Sequence, residues 1–576
     1  MPQRNKQSFL HGALILSAAA ILNKIVGALF FKIPLQRINN SAYGYFEAVY
    51  SIYIPIYIVS TAGFPVAVSR MVSQSLALGR YRDIRAIKRV VNRVFLLTGS
   101  CGMLAMVIAS FFYPDYVGMP NIRLTMLVMA PSVFFCCIAT AYRGIYEGSR
   151  NMIPTAISQT LEAIGKLLFG LALAAGALHL GQWQFEHGFK VFGKTAETAQ
   201  QALDISLPYI AAGGMVGVTA GSFFSFSYLL ARYRRFGSGI SKQELESSPP
   251  PYPVRSIFRM LLKIAFPIAI GTLATELTTM IDVVSLQKSL AVVYDRHGDI
   301  IREIYSSAIA QSRTNDVLAF LTGNRGIAMT FVNLVPNITL TFGISALPVI
   351  TSAWALKDKK QLRKMVSTVL RITVMVALPA GLGLSVLAKP ILNLIYEPHN
   401  VVVAGPQLQV LGLAVVFICL VAPINAMLQA IGRADVPAKI VLVGGAVKLV
   451  LNVLLIQNPY INIMGSAYST FACYIVMVVL SLYSLFKVVK ARIYWKSAFL
   501  KPLIASILCI AAAWAANGLL ARVISAKLAV VIAIAAAVIV YLLALLWIKA
   551  IKREDVLMLP KGQKIAQILE KYDWIG

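Results

Sequence analysis

Fourteen long apolar segments constrain this chain more than any other feature of its sequence. Inside the bilayer every backbone polar group must be hydrogen-bonded within the protein, which favours helices. The composition agrees, because 58% of the residues are hydrophobic and only 13% are charged. Since a helix needs about 20 apolar residues to cross the hydrocarbon layer, we expect an all-α polytopic membrane protein with about 14 transmembrane helices. We place these spans at 8–35, 42–70, 91–113, 122–146, 154–179, 206–231, 257–287, 326–353, 366–388, 404–428, 436–457, 464–487, 499–520 and 527–548.

Basic residues are distributed unevenly between the two sides of this predicted bundle. The formal net charge is +30, which in a soluble protein would indicate a nucleic-acid partner. Here the loops on one side are strongly basic, whereas 113–121 has no Lys or Arg and 458–464 has no charge. Cytoplasmic loops carry such an excess of Lys and Arg. We therefore expect a multi-pass membrane protein with both termini in the cytoplasm, in contact with membrane lipids and without a nucleic-acid partner.

The two halves of the chain nearly repeat. Pro154 and Pro437 are 283 residues apart, and each is followed by an apolar run that contains a lysine. At the same offset, GFPV at 63–66 falls opposite ALPV at 346–349. Each half contains an even number of spans, so the repeats are parallel and their pseudo-twofold axis lies along the membrane normal. The sequence therefore predicts two parallel six-helix lobes.

The predicted organisation has five parts. The stretch SGISKQELESSPPPYP between the lobes contains prolines that prevent a continuous helix, and it is too polar to form a packed core. Two spans near the end have no counterpart in the first half, so we expect them to form an accessory pair. The parts are an N-terminal lobe at 1–232, a cytoplasmic linker at 233–256, a C-terminal lobe at 257–488 with an outward insertion at 289–325, the accessory pair at 489–550, and a cytoplasmic amphipathic tail at 551–576.

Three lysines lie near the middle of predicted spans. Lys24 follows Asn23 in the first span, while Lys166 and Lys448 lie at matching places in the two halves. A charge at the bilayer centre costs about 2.5–3.5 kcal/mol or more and is therefore usually functional. Glu162 is spaced to pair with Lys166 along one helix face. We expect these lysines and Asn23 to line a central cationic cavity between the lobes.

Acidic residues in the spans suggest charge balance or ion coupling. Glu276 and Asp282 in the seventh span are placed to neutralise cavity lysines or to carry a coupling ion, as is Glu162. We expect no bound cofactor or metal, and coupling to the membrane potential, H⁺ or Na⁺ stays open. For residues near span ends, a gate salt bridge, simple snorkelling and substrate contact are all open. These residues are Glu47, Arg70, Arg143 and Glu147. We place Arg70 with the cavity residues and the other three as gate candidates.

No catalytic motif emerges from the sequence. The run GFKVFGKT at 188–195 matches the phosphate-loop pattern, but that motif requires a buried strand before it and a helix after it. Here it lies in a predicted outward loop, so we expect no nucleotide site and no enzymatic activity. The six cysteines all lie in apolar spans without metal-like spacing, and we expect them to be reduced packing residues.

Several runs of residues carry a family resemblance. They are YRGIYEG at 142–148, NMIPTAISQ at 151–159 with Glu162 and Lys166, the run at 432–452 with Pro437 and Lys448, and LPKG at 559–562. The chain resembles the multidrug/oligosaccharidyl-lipid/polysaccharide exporter superfamily. Within it, the chain is similar to the polysaccharide-biosynthesis branch that includes the stage V sporulation protein B group and the MurJ-type lipid II flippases.

The resemblance implies a V-shaped, two-lobe transporter without a cofactor, and we expect it to be a monomer. Its implied role is to flip an undecaprenyl-diphosphate-linked sugar precursor outward by alternating access, for cell-wall, spore-cortex or polysaccharide synthesis. In MurJ-type proteins, arginines of spans one, two and eight are shared. Lys24 matches the first of these and Arg70 loosely corresponds to the second, whereas span eight has no basic residue beyond Arg325 at its edge.

Two other function classes compete with this interpretation. A cation-coupled multidrug exporter of the same fold would favour acidic over basic residues in its cavity, which counts against it here. A membrane glycosyltransferase would require catalytic carboxylates at the interface, and the loops contain no such cluster. The sequence therefore favours a flippase for an anionic, lipid-linked sugar.

Overall fold

The computed structural model describes residues 19, 22–61, 63–149, 151–237, 240–312, 315–433, 435–489, 499–553, 567 and 574. Within this part of the chain the regular elements are helices, and twelve helical stretches are long and apolar enough to cross a membrane. The predicted all-α polytopic fold is thereby confirmed. Two predicted spans are not among the twelve: the first begins outside the described residues, and the seventh lies inside a longer helix, Val254–Ile304.

The helices divide into two compact units. The first unit contains the described residues of Met1–Ala291 and Arg313–Gly323. A π-helical segment, Val26–Lys32, precedes its α-helices. These are α1 (Ile33–Ile38), α2 (Asn40–Thr61), α3 (Phe64–Ala77), α4 (Tyr81–Tyr116), α5 (Arg123–Gly148), α6 (Ile153–Glu186), α7 (Ala199–Phe236), α8 (Lys242–Glu246) and the larger part of α9 (Val254–Ile304).

The second unit contains the described residues of Val292–Ser312 and Asn324–Gly576. Its helices are α10 (Ser306–Ser312), most of α11 (Val317–Val332), α12 (Leu334–Ala355), α13 (Lys359–Val386), α14 (Ala388–Asn393), α15 (Pro398–Ala430), α16 (Asp435–Ile456), α17 (Met464–Val489), α18 (Lys501–Leu520) and α19 (Ala526–Trp547). The sequence predicts a lobe boundary at 257, whereas residues 257–291 pack with the first unit. The six-helix lobes, 1–232 and 257–488, stay a prediction.

A glycine separates α2 from α3. Gly63 has a φ of +71°, a conformation that L side chains rarely adopt. A Cβ on Gly63 would lie 2.4 Å from the carbonyl oxygen of Ala265 on α9, so a side chain is also blocked by backbone. Pro65 follows in the first turn of α3, where the missing N–H costs no helical hydrogen bond. The second predicted span is therefore two helices joined at Gly63.

The GFKVFGKT run at 188–195 forms a tight turn between two helices. It follows α6, which ends at Glu186, and precedes α7, which begins at Ala199. The pairing in this turn is one antiparallel bridge between Val191 and Lys194. Within the described residues the run is therefore preceded by a helix instead of the buried strand that a phosphate loop requires.

The predicted linker packs against the start of α4 more closely than its composition suggests. Ser241 and Glu244 form a reciprocal capping box that starts α8, with hydrogen bonds of 3.1 and 2.8 Å. Arg82, at the start of α4, donates from its backbone N–H to Ser248 Oγ (3.0 Å) and from Nε to the carbonyl oxygen of Leu245 (2.9 Å). We refer to residues 240–253 as the linker strap.

Residues 292–312 of the predicted outward insertion and the predicted accessory pair belong to the second unit. Helix α9 continues to Ile304 with a break at His297, and the hydroxyl of Tyr305 donates to Asn462 Oδ1 at 2.7 Å. Helices α18 and α19 pack on each other, and the hydroxyl of Tyr541 donates to the carbonyl oxygen of Met375 on α13 at 2.6 Å. Most of the predicted amphipathic tail lies outside the described residues.

Candidate functional site

A ladder of aromatic rings runs along one face of α2. Tyr43, Phe46, Tyr50, Tyr53 and Tyr57 recur every three or four residues, which places them on the same side of the helix. Consecutive ring centroids lie 5.7, 5.5, 5.9 and 6.0 Å apart, and all four pairs are stacked. The ladder gives the interior of the first unit a continuous wall of ring faces.

Lys166 points its ammonium at this ladder. Its Nζ lies 4.8 Å from the ring centroid of Tyr50 and 5.9 Å from that of Phe46. A third ring, Phe31 of the π-helical segment, lies 4.7 Å away. Such cation–π contacts contribute about 0.5–2 kcal/mol each, more where water is excluded. No carboxylate among the described residues forms an ion pair with Lys166.

Close packing of α6 on α7 fixes the position of Lys166. In α7, glycines recur at every fourth residue, Gly213, Gly217 and Gly221, and this spacing lets two helix backbones approach. A Cβ on Gly217 would lie 2.3 Å from Gly170 Cα and 2.7 Å from the carbonyl oxygen of Lys166. The glycines of α7 therefore set the depth and rotation at which α6 presents its lysine.

A lysine at the end of the π-helical segment is paired with a glutamate of α2. Lys32 Nζ lies 3.2 Å from Glu47 Oε2, which also accepts a hydrogen bond of 2.9 Å from the hydroxyl of Tyr43. The Lys32 ammonium lies 5.6 Å from the ring centroid of Tyr50, the ring that Lys166 also contacts. The two ammonium groups thus share one aromatic ring, and the Lys32 charge is balanced by Glu47.

A second ion pair links α5 to α6. Arg143 donates to Glu162 Oε2 at 2.8 Å, to Ser158 Oγ at 3.0 Å and to Ser225 Oγ of α7 at 2.8 Å. The predicted pairing of Glu162 with Lys166 is therefore wrong: the carboxylate pairs with the guanidinium of a neighbouring helix. The planar Arg143 guanidinium, which donates to three groups at once, is a better partner for Glu162 than the flexible Lys166 ammonium one turn away.

Among the ion-paired and ring-bound groups around Lys166, the cations exceed the carboxylates by one. The cations of Lys32, Arg143 and Lys166 face only two carboxylates, and each carboxylate is already paired with a different cation. The remaining charge is that of Lys166, whose contacts in the described part of the chain are with ring faces. This arrangement is suited to an anion, because a ligand phosphate can replace weak ring contacts with a charge-assisted hydrogen bond. We refer to it as the Lys166 site.

The other predicted site residues lie at separate places. Lys24 is exposed and Asn23 half-buried just before the π-helical segment, and Arg70 is exposed on α3. The remaining ones are half-buried: Glu147 at the end of α5, Glu276 and Asp282 on α9, and Lys448 on α16 of the second unit. The common cavity for Lys24, Lys166 and Lys448 stays a prediction. Sequence reasoning missed Lys32, because a lysine near a span end is usually a snorkelling residue.

Two family models match the chain in different parts. One is described as lipid II flippase MurJ and matches residues 334–516, and the other is described as polysaccharide biosynthesis protein and matches residues 9–183. Among curated relatives, the lipid II flippase MurJ of Bacillus subtilis (strain 168) is 24% identical over 464 residues, which are 78% of this chain and 77% of that protein. The stage V sporulation protein B of the same organism is 23% identical over 474 residues, 80% of each chain.

Solved structures show the same fold. The lipid II flippase MurJ in an inward closed conformation matches with a TM-score of 0.60 and 15% identity, over 92% of this chain and 96% of that chain. An inward-facing multidrug resistance MATE family transporter of the MOP superfamily matches with a TM-score of 0.58 and 12% identity, over 83% and 99%. The predicted resemblance is confirmed: this multi-pass membrane protein is similar, in both its family models and its curated relatives, to the polysaccharide-biosynthesis branch of the multidrug/oligosaccharidyl-lipid/polysaccharide exporter superfamily.

Proposed function

We propose that this protein flips an undecaprenyl-diphosphate-linked sugar precursor, lipid II or a related polysaccharide intermediate, from the inner to the outer leaflet. The observation that carries the proposal is the excess positive charge of Lys166, which rests on ring faces between two ion pairs that are already neutral. The names of the curated relatives, a lipid II flippase and a sporulation protein, support the same class of cargo.

The chemistry of such a cargo fits the Lys166 site. A diphosphate loses its hydration in a low-dielectric layer, and a fixed ammonium offsets that cost. When a phosphate oxygen approaches, Lys166 exchanges cation–π contacts for a charge-assisted hydrogen bond, which is about twice as strong as a neutral one. The rings of α2 offer flat apolar faces to the remainder of the headgroup.

Other residues complete the proposed cycle. Lys24, Asn23, Arg70 and Lys448 would contact the headgroup as the cavity changes its access from one side to the other. Glu162, Glu276 and Asp282 would balance charge or carry the coupling ion, and Arg143, Glu147 and Glu47 would act at the gates. The protein would work as a monomer. Both of its termini would lie in the cytoplasm, as the distribution of basic loops favours.

Binding of lipid-linked sugars to the purified protein tests this proposal. Native mass spectrometry would compare lipid II, another undecaprenyl-diphosphate sugar and undecaprenol without a diphosphate. We expect the diphosphate lipids to bind and undecaprenol not to bind, and we expect Lys166→Gln to weaken the binding while Lys190→Gln, on an exposed turn, leaves it unchanged. If cationic drugs bound and the diphosphate lipids did not, the protein would instead be a multidrug exporter of the same fold.

A further inference from the structure

A pocket of about 510 Å³ lies in the first unit, at the end of the bundle opposite the linker strap. The turn at 188–195, the beginning of α5 and the beginning of α7 surround it. Two cationic side chains, Arg123 and Lys194, line it together with the leucines Leu124 and Leu127. The pocket is distinct from the Lys166 site, because it shares no residue with it.

The turn at 188–195, whose sequence matches the phosphate-loop pattern, has a structural role at this pocket. Phe192 adopts a φ of +46° and Gly193 a φ of +83°, and the backbone N–H of Lys194 donates to the carbonyl oxygen of Val191 at 2.9 Å. The Phe192 ring stacks on Tyr209 of α7, with centroids 4.0 Å apart. The turn is therefore anchored to α7 by its aromatic residue, and it holds Lys194 at the pocket rather than leaving it on a mobile loop.

Arg123 supplies the second cation from the first residue of α5. One of its terminal nitrogens donates to Asp115 Oδ2 at 3.2 Å, in an ion pair exposed to solvent. A guanidinium has five N–H donors, so most of its donors remain for a ligand.

The one lining carboxylate is already engaged. Asp204 accepts hydrogen bonds from the backbone N–H of Asn315 (3.2 Å) and from Asn315 Nδ2 (2.7 Å). These neutral donors hold the Asp204 carboxylate in place without removing its charge, so the lining cations, Arg123 and Lys194, exceed the lining carboxylate by one positive charge. Ion pairs at exposed positions contribute little, so the Arg123–Asp115 pair is readily exchanged for a ligand with more negative charge.

Part of the remaining wall is apolar and exposed at the surface. Leu124 and Leu127 are 36% and 37% exposed, and their spacing places them on one face of α5 directly below Arg123. A ligand in this pocket therefore meets cations at the end of the bundle and hydrocarbon along the helix. Anionic phospholipids have this polarity, with a phosphate above an acyl chain.

We propose that this pocket binds an anionic glycerophospholipid of the outer leaflet. Its phosphate lies between Arg123 and Lys194, and an acyl chain follows Leu124 and Leu127. The charge complementarity favours a phosphate over a zwitterionic choline headgroup, whose ammonium would meet two cations. The site is independent of the transported substrate, so it holds a lipid whether or not the Lys166 site is occupied.

Photo-crosslinking locates the lipid and measures its selectivity. The full-length protein would be placed in phosphatidylcholine nanodiscs doped with phosphatidylglycerol that carries a diazirine in its acyl chain. We expect crosslinks on the first turns of α5, and competition by unlabelled phosphatidylglycerol but not by phosphatidylcholine or inorganic phosphate. The double variant Arg123→Gln, Lys194→Gln should need roughly 30-fold more lipid for the same yield. Lys190→Gln, in the same turn but outside the pocket, should behave as the parent.

Three results would overturn the proposal. They are crosslinks elsewhere in the chain only, equal yields for the parent and the double variant, and competition by inorganic phosphate as effective as competition by the lipid. The last result would make the pocket a site for the free anion. Size-exclusion profiles and melting curves establish that the variants are folded. Because Arg123 and Lys194 are exposed, both measurements should give the same result for the variants as for the parent.

Discussion

Lys166 is the residue on which the proposed chemistry depends. Its ammonium contacts Tyr50 and Phe31, while the neighbouring carboxylates pair with Lys32 and Arg143. A charge at this depth is costly unless it faces protein or water. The ring faces lower that cost without neutralising the charge, so the site stays attractive to an anion while it is empty. A carboxylate in place of these rings would instead neutralise the Lys166 ammonium.

The ion pair between Arg143 and Glu162 gives a prediction at the same scale. Arg143→Ala leaves the Glu162 carboxylate half-buried without its guanidinium, which should lower the free energy of unfolding by about 3–5 kcal/mol. Thermal unfolding of the purified protein in detergent measures the loss. The double variant Arg143→Ala, Glu162→Gln removes both charges and should recover a large part of the stability. Equal destabilisation by the single and double variants would contradict the role given to this pair.

Helix packing explains why the site could be only partly predicted. Hydropathy and charge located the spans and Lys166, because these depend on one segment at a time. The partner of Glu162 depends on which faces of α5 and α6 meet, and the local spacing to Lys166 suggested the wrong cation. The aromatic ladder can be read from the three-to-four-residue spacing of its rings in α2. Its contact with the Lys166 ammonium depends on how α6 packs against α2, which the sequence does not reveal.

The interface between α6 and α7 predicts a strong effect of one glycine. A Cβ on Gly217 would lie 2.3 Å from Gly170 Cα, so Gly217→Leu must separate the two helices. We expect a loss of at least a few kcal/mol in the free energy of unfolding and weaker binding of the diphosphate lipid, because Lys166 moves with α6. Gly176→Ala is the matched control: nothing lies within 4 Å of its Cβ, and it should stabilise the helix by up to about 1 kcal/mol. Similar melting curves for both variants would contradict the close-packing account.

The linker strap gives a second prediction at the scale of elements. Asp83 is 2% exposed and accepts from the backbone N–H of Tyr252 at 2.8 Å, and the Arg80 guanidinium lies 3.8 Å from the Tyr252 ring centroid. Asp83→Ala should release the strap and accelerate tryptic cleavage after Lys242 in the folded protein. Asp115→Ala, which removes an exposed carboxylate far along α4, should not change that rate. Cleavage at the parent rate in both variants would show that Asp83 does not hold the strap.

At the scale of the whole molecule, the uneven distribution of basic residues predicts an orientation in the membrane. Basic loops such as 80–89 and 357–364 are among those that the positive-inside pattern assigns to the cytoplasm. The turn at 188–195 lies at the opposite end of α6. The sequence can predict an orientation because topology depends on summed charge, and that orientation stays a prediction. It could not predict that residues 257–291 pack with the first unit, since that depends on contacts between distant helices.

Accessibility of introduced cysteines tests the orientation. Lys190→Cys, in the exposed turn, should react with a membrane-impermeant maleimide in intact cells, and Ser247→Cys, in the linker strap, should react only after the membrane is opened. The parent chain, with its six native cysteines, sets the background of labelling. Labelling of Ser247→Cys in intact cells at the rate of Lys190→Cys would reverse or refute the assigned topology.

Transport by the reconstituted protein tests the central claim most directly. Proteoliposomes would contain a labelled undecaprenyl-diphosphate sugar, and its appearance in the opposite leaflet would be followed for the parent, Lys166→Arg, Lys166→Gln and the control Lys190→Gln. The account predicts parent-like transport for the control, partial transport for Lys166→Arg, whose planar fork differs from an ammonium, and about a 10- to 100-fold loss for Lys166→Gln, because a hydrogen bond to a charged group is removed. Transport by Lys166→Gln at the parent rate would contradict it.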